Sequence, residues 1–415
     1  MKKALIMVLV ILFIPPGGLF TAEITVPHLE LASRGAVDDG DFGISTSAAA
    51  DIALNGGYKY GITLGLGAEI TNLEKALSYG RLDMPYLSGG SPTGDDYNGL
   101  SRMVEDRFNN QATLSIRYLE AVVRDLFDKP LELAFFIGHY NKLGSGDGFQ
   151  ERFGTVQVGT DMRGFFYYPE GLGGDPSLRF NGAIHGILGT GLALKGLFLD
   201  KIVPSLYIYQ DLSFKDPVTG TYLPGHYSGD FALMVNGEAV KFEGFTGITY
   251  INQDDPVLRG GLLAYVASGP MGLLMQAGLP YWEAGKSVTI DNFYFLLEPR
   301  LRFDKLGMSL TFFYHPVYYL NREILDENDE PDNGKADINL KAFYGDISRS
   351  PFEGGLETTL GMRIHNGEDM TLWISPFVRT VTSGLLWDFK IRVNVLYFTK
   401  GGDLMEGFIG IRTAY

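Results

Sequence analysis

The residues of this chain that could do chemistry come in steps of two. Glu298, Arg300 and Arg302 stand two apart, as do Asp388, Lys390 and Arg392, and Arg179, His185, Arg363, Arg379 and Arg412 sit in stretches of the same rhythm. Successive side chains of an extended chain point to opposite faces, so this spacing gathers charge on one face and leaves apolar residues on the other. Guanidinium and ammonium groups along a wall hold and steer polar or anionic solutes. They do not by themselves break bonds.

Bond-breaking chemistry has little to work with here. None of the 415 residues is a cysteine, which removes thiolate nucleophiles, thiolate metal sites, disulfides and lipid attachment at a cysteine. The six histidines (His28, His139, His185, His226, His315 and His365) leave a Ser–His–acid group formally open, but none stands in a recognisable catalytic motif. No enzymatic activity is expected. Between Leu320 and Asp337 the residues Asp326, Asn328, Glu330 and Asp332 alternate as in a calcium loop, yet Pro331 occupies the glycine position and the bidentate glutamate is missing. That run reads as a solvated external loop, and no cofactor or metal is expected.

The elements that position these groups are strands. In Tyr58 to Ile70, Tyr58, Tyr60, Ile62, Leu64, Leu66, Ala68 and Ile70 share one face, and Lys59, Gly61, Thr63, Gly65, Gly67 and Glu69 share the other. Asn55-Gly56-Gly57 before it is hairpin-turn chemistry. The same alternation runs through 177–194, 293–303, 371–379 and 387–397, long enough for tilted strands to cross a membrane. It also marks 112–118, 156–163, 338–344, 356–363 and 404–415.

Across these segments the apolar face carries no charge. The other face carries the cations Lys59, Arg117, Arg163, Arg179, Arg300, Arg302, Lys341, Arg363, Arg379, Lys390, Arg392 and Arg412, and the acids Glu69, Asp161, Glu298, Glu357, Asp388 and Glu406. A charge facing lipid at mid-membrane costs about 2–4 kcal/mol, which is sufficient cause for the separation. So many long strands would enclose a lumen too wide to fill with side chains, so the apolar face points out and the polar face in. The fold expected is an all-β, transmembrane, antiparallel up-and-down barrel of about 16 strands, within a range of 14–18.

Composition agrees: 54 glycines, 23 tyrosines and 28 phenylalanines accompany 20% charged residues and a mean hydropathy of +0.04. Lys2 and Lys3 precede the apolar run Ala4 to Ile14, with small residues at Thr21-Ala22, which reads as a secretory signal cleaved near Ala22. The division expected is 1–22 signal peptide, 23–41 an N-terminal segment and candidate first strand, and 42–415 barrel. Loss of the two lysines takes the net charge from −15 to −17, which makes nucleic acid a poor partner. Gly261 to Trp282 has no charge and could pass for a membrane helix, but Ser268-Gly269-Pro270-Met271 in its middle is turn chemistry, so it reads as a hairpin.

The C-terminal EGFIGIRTAY places Met405, Gly407, Ile409, Ile411, Thr413 and Tyr415 on one face and ends on an aromatic residue. It resembles the terminal strand of Gram-negative-type outer-membrane proteins, and the resemblance implies that Ile409, Ile411 and Tyr415 form an assembly signal read by the barrel-assembly machinery. The stretch from Tyr118 to Gly154 is similar to porin and alginate-exporter hairpins, although Gly138-His139 replaces their usual Gly-Arg. The overall pattern resembles a spirochaete-type barrel family. Outer-membrane localisation, membrane lipid as a neighbour and small hydrophilic solutes as partners are what these likenesses imply.

Short turns at 55–57, 128–130, 268–271 and 304–306 and longer loops at 71–110, 141–152, 281–291 and 318–336 fit periplasmic and external sides respectively. Counting from the two ends disagrees in parity between Phe165 and Asp230. The inward cations, with Arg179, Arg300, Arg302, Arg363, Arg379, Lys390, Arg392 and Arg412 foremost, suggest a slight anion preference in a pore lining that also includes His185 and Glu298. Cross-strand pairing with Glu298, Glu357 and Asp388 is the alternative. Inward Gly61, Gly65 and Gly67 leave room that a loop such as 71–110 could fill. A porin-like channel leads; an adhesion protein anchored by a barrel and a hydrophobic-compound transporter are the rivals. The aromatic clusters Phe165 to Tyr168 and Tyr314 with Tyr318-Tyr319 read as interfacial girdles.

Overall fold

The computed structural model describes residues 23–38, 41–70, 113–155, 158–162, 182–213, 225–250, 256–314, 316, 318–319, 322–323, 335–347, 350–363, 370–397 and 404–413. The expected signal segment 1–22 and the aromatic cluster 165–168 lie outside them. The described barrel strands are β1 (Glu23–Asp38), β2 (Asp41–Gly56), β3 (Tyr60–Ile70), β4 (Thr113–Val123), β5 (Leu131–Leu143) and β6 (His185–Gly196). They continue as β7 (Ile202–Asp211), β8 (Tyr227–Asn236), β9 (Val240–Tyr250), β10 (Val257–Ser268), β11 (Met271–Glu283) and β12 (Tyr294–Arg302). The circuit ends with β13 (Leu306–Tyr314), β14 (Lys335–Gly345), β15 (Phe352–Arg363), β16 (Met370–Thr382), β17 (Leu385–Asn394) and β18 (Met405–Thr413). Between β13 and β14, Tyr318–Tyr319 and Arg322–Glu323 pair with each other and not with the barrel.

Each barrel strand pairs antiparallel with its neighbours in sequence, and β18 pairs with β1 from Glu30 opposite Arg412 to Ala36 opposite Glu406, so the sheet closes on itself. A closed ladder leaves no open edge, the condition for strands to sit in lipid. The barrel has 18 strands rather than about 16. The parity conflict resolves in 156–163, whose described part, 158–162, is not a strand but lies inside the barrel, and in β7 and β8, whose alternation went unread. Glu23–Asp38 is a strand, paired along β2.

Alternation is visible as burial. In β7 Tyr207 is 2% exposed while Ile208 is 62% exposed, because one faces the interior and the other the outside. The uncharged stretch is the β10–β11 hairpin, turning at Ser268 to Met271 with Gly269 at φ 57. No helix among the described residues is long and apolar enough to cross a membrane.

The interior is not uniform. Leu263 and Leu274 of β10 and β11, Phe136 of β5 and Phe313 of β13 point inward and are buried in one cluster with Phe149, Val158, Met162 and Ile184 from the connection between β5 and β6. From Gly261 onward the inward face of β10–β11 therefore carries no charge, because a folded-in segment covers it.

Candidate functional site

That segment behaves as a strap. It leaves the wall at Leu143, whose carbonyl accepts the Ile184 N–H at 3.0 Å, and contains the short helix α1 (Asp147–Phe153) with Phe149 buried. Gly144 and Gly146 have φ of 70° and 81°, a left-handed backbone open to glycine. This turn aims both backbone N–H groups at the Glu243 carboxylate of β9, at 2.8 and 3.3 Å. Gln276 of β11 donates to the carbonyls of Gly144 at 2.5 Å and Gly182 at 2.7 Å, tying both limbs of the strap to one side chain.

The far end is fastened to β12. Glu298 accepts hydrogen bonds from the Asp161 N–H at 2.9 Å, the Thr311 hydroxyl at 2.6 Å, Arg300 Nε at 2.6 Å and the Thr160 hydroxyl. Arg300 donates to the Gly159 carbonyl at 2.6 Å, and Arg302 reaches both Asp161 oxygens at 2.6 and 2.7 Å. Lys341 Nζ of β14 lies 3.5 Å from the Asp161 carbonyl oxygen. Since β14 is half-way round the barrel from β5, the strap crosses the lumen. Burial works against the charge of Asp161, but Arg300, Arg302 and Lys341 outweigh it and hold its carboxyl well below the usual carboxylate range.

The opposite wall is built from charge pairs. Arg379 of β16 donates to Asp388 of β17 at 3.1 Å and Glu353 of β15 at 3.3 Å. Glu357 accepts from Lys390 and has Lys341 at 3.8 Å. Glu406 of β18 takes Arg392 at 2.6 Å and, across the closing seam, Arg34 of β1 at 2.9 Å. Arg392 also stacks over Trp373 at 4.2 Å, and Lys341 lies 5.1 Å above Phe377.

The sequence-predicted residues fall into separate groups. His185 faces inward, 3.3 Å from the Tyr209 hydroxyl, within a group that holds Arg259 on Asp230 at 2.6 and 2.9 Å. Glu298, Arg300 and Arg302 meet at the strap, whereas Arg379, Lys390 and Arg392 lie on the paired wall. Arg412 stands opposite Glu30 in the seam register. Ile409 is half-exposed on the outer face of β18, and Ile411 follows it in the same strand. Arg179, the Arg363 side chain and Tyr415 lie outside the described residues, as do loop 71–110 and Arg163.

Two expectations change. The stretch after Leu143, part of the loop 141–152 that the turn pattern placed outside, folds inward as the described start of the strap, and the space beside Gly65 is filled by the Tyr118 ring, which a Cβ there would meet at 2.3 Å. The cation excess also shrinks. Glu30, Asp211, Asp230 and Glu243 are inward and buried on strands whose phase the charge count left out, and buried Glu353 stands just ahead of the counted part of β15. Their signal was present: Asp230, for instance, alternates with the apolar Phe231 and Leu233 of β8.

No protein-family model and no curated protein matches the sequence. Solved barrels match the whole fold. OccAB4 of Acinetobacter baumannii aligns with a TM-score of 0.54 at 11% identity, covering 94% of this chain and 97% of that one. OccAB2 of the same organism gives 0.54 at 12%, covering 96% and 99%. OpdO of Pseudomonas aeruginosa gives 0.51 at 12%, covering 94% and 96%. At such identities the likeness is one of fold.

Proposed function

We propose that the chain is an outer-membrane channel for passive diffusion of small hydrophilic solutes, narrowed by the strap between β5 and β6. One observation carries the reading: the wall of a closed barrel exposes apolar side chains outward and turns its charged ones in. The fold shared with the Occ and Opd barrels supports it. On this reading 1–22 is removed on export, and Ile409, Ile411 and Tyr415 form the signal by which the barrel-assembly machinery receives the chain.

A polar, charge-lined interior disfavours a hydrophobic-compound transporter, which needs an apolar path. Single-channel recording of the refolded chain 23–415 in planar bilayers tests the proposal, with discrete stable openings expected. A heat-modifiable barrel that inserts and stays silent would instead make the barrel an anchor and its external loops the working part.

A further inference from the structure

We propose that the lumen favours polar solutes of zero net charge, because its cations and acids neutralise one another along the wall. The proposal rests on the channel reading and adds a substrate class to it.

The pairing runs round the barrel rather than occurring at one spot. Glu357 lies between Lys390 and Lys341, and Glu406 between Arg392 and Arg34. Arg379 reverses the ratio by serving both Glu353 and Asp388. On the strap side Arg300 rests on Glu298, Arg302 on Asp161, and Arg259 on Asp230. At the start of β5, Glu132 takes both Arg124 and Lys195 at 3.2 Å. Three of these groups hold two cations to one acid and one holds the reverse, and the inward acids Glu30 and Asp211 bring the acids named here level with the cations.

The physical consequence concerns range. Selection of ions by sign needs an unbalanced ring of charge, whose potential reaches across a pore within the screening length. A cation in contact with an acid presents a dipole instead, and its potential decays faster with distance. An ion entering the lumen would meet no net attraction, and it would gain close contact only by separating a buried pair. An uncharged polyol is treated differently. A guanidinium has five N–H donors, so the partly exposed Arg302, Arg34 and Arg392, although paired, still offer hydrogen bonds to hydroxyls. The solute can exchange its water for these bonds without breaking a pair.

The test compares two probes of nearly equal size, glucose and gluconate, as tracer fluxes through proteoliposomes containing chain 23–415, together with the chloride-to-potassium permeability ratio in planar bilayers. Expected is a permeability ratio within about threefold of unity and glucose flux above gluconate flux. A wild-type ratio beyond that range, or gluconate flux equal to or above that of glucose, overturns the proposal while leaving the channel reading intact. A silent wild-type barrel removes the channel reading and the proposal with it.

The double variant Glu353→Gln, Glu357→Gln takes from Lys341 and Lys390 the acid they share and leaves Arg379 with Asp388 alone, so the wall gains two units of positive charge. It should raise the chloride-to-potassium ratio at least about fivefold, and an unchanged ratio in a variant that retains heat-modifiable migration counts against pairing as the cause. If the variant does not fold, the wild-type flux ratio alone decides.

Discussion

The wall from β5 to β13 and the wall from β14 through β18 to β1 use the same strand geometry but fill it differently. On the first, inward Leu263, Leu274 and Phe313 are buried against Phe149, Val158 and Ile184 of the strap. On the second, inward positions carry Arg379, Lys390, Glu353, Glu357 and Asp388, each nearly as buried as those leucines. A buried large apolar side chain contributes about 1.5–3 kcal/mol. A buried ion pair roughly offsets its own desolvation and often gives no net stability against an apolar replacement. The difference teaches that the first wall adds an apolar core beneath the strap to its own pairs at Asp230 and Glu298, whereas on the second inward charge dominates and its cost is better explained by what passes it.

The comparison can be broken at the strap. Replacing Glu298 with Ala takes from Arg300 its nearer carboxylate and removes the acceptor for Thr160, Thr311 and the Asp161 N–H, a loss of about 3–5 kcal/mol for one side of a buried pair. Single-channel conductance should rise as the far end of the strap leaves the wall, with a lower urea midpoint in lipid. Unchanged conductance in a folded variant would show that the strap does not narrow the pore.

The outer face should not distinguish the halves. Ile208 of β7 and Ile391 of β17 are both exposed on it, and arginine at either position should cost about 2–4 kcal/mol near mid-membrane. Equilibrium unfolding in vesicles measures both, and a tolerated arginine at one site would mean that protein rather than lipid covers it.

A smaller effect sharpens the electrostatic contrast. Asp161→Asn leaves Arg302 and Arg300 without that carboxylate and should cost about 1–3 kcal/mol, less than Glu298→Ala because Arg302 is partly exposed. Chloride permeability should increase, since the balance on the strap side then tilts to the cations. The smallest effect belongs to Ile409→Ala, which trims a half-exposed outward side chain that leaves lipid on unfolding, at about 1–2 kcal/mol. Its larger effect should appear in the rate of assembly into bilayers by the purified assembly machinery, and an unaltered rate would remove Ile409 from the assembly signal.

Much of the wall could be read from the chain. Tyr58 to Ile70 alternates because one side meets a non-polar environment and the other does not, and β3 forms there with Gly65 inward beneath Tyr118. The strap could not be read the same way. Val158 and Met162 alternate with Gly159 and Asp161 as a strand would, but here the apolar pair faces the cluster inside the barrel and Asp161 faces Arg302. A clue lay elsewhere: Gly261 to Trp282 lacks inward charge because the strap covers Leu263 and Leu274. It announced an inner partner as much as a hairpin.

By itself the sequence determined a closed, outward-apolar barrel with its charges inside, because period two is a local property of the strand and lipid excludes charge from every outward position alike. Tertiary structure alone decided the strand number, the inward strap and the pairing of Arg34 with Glu406 across the closing seam. Those depend on register between segments as much as 384 residues apart in the chain, and no local spacing encodes which charge will face which.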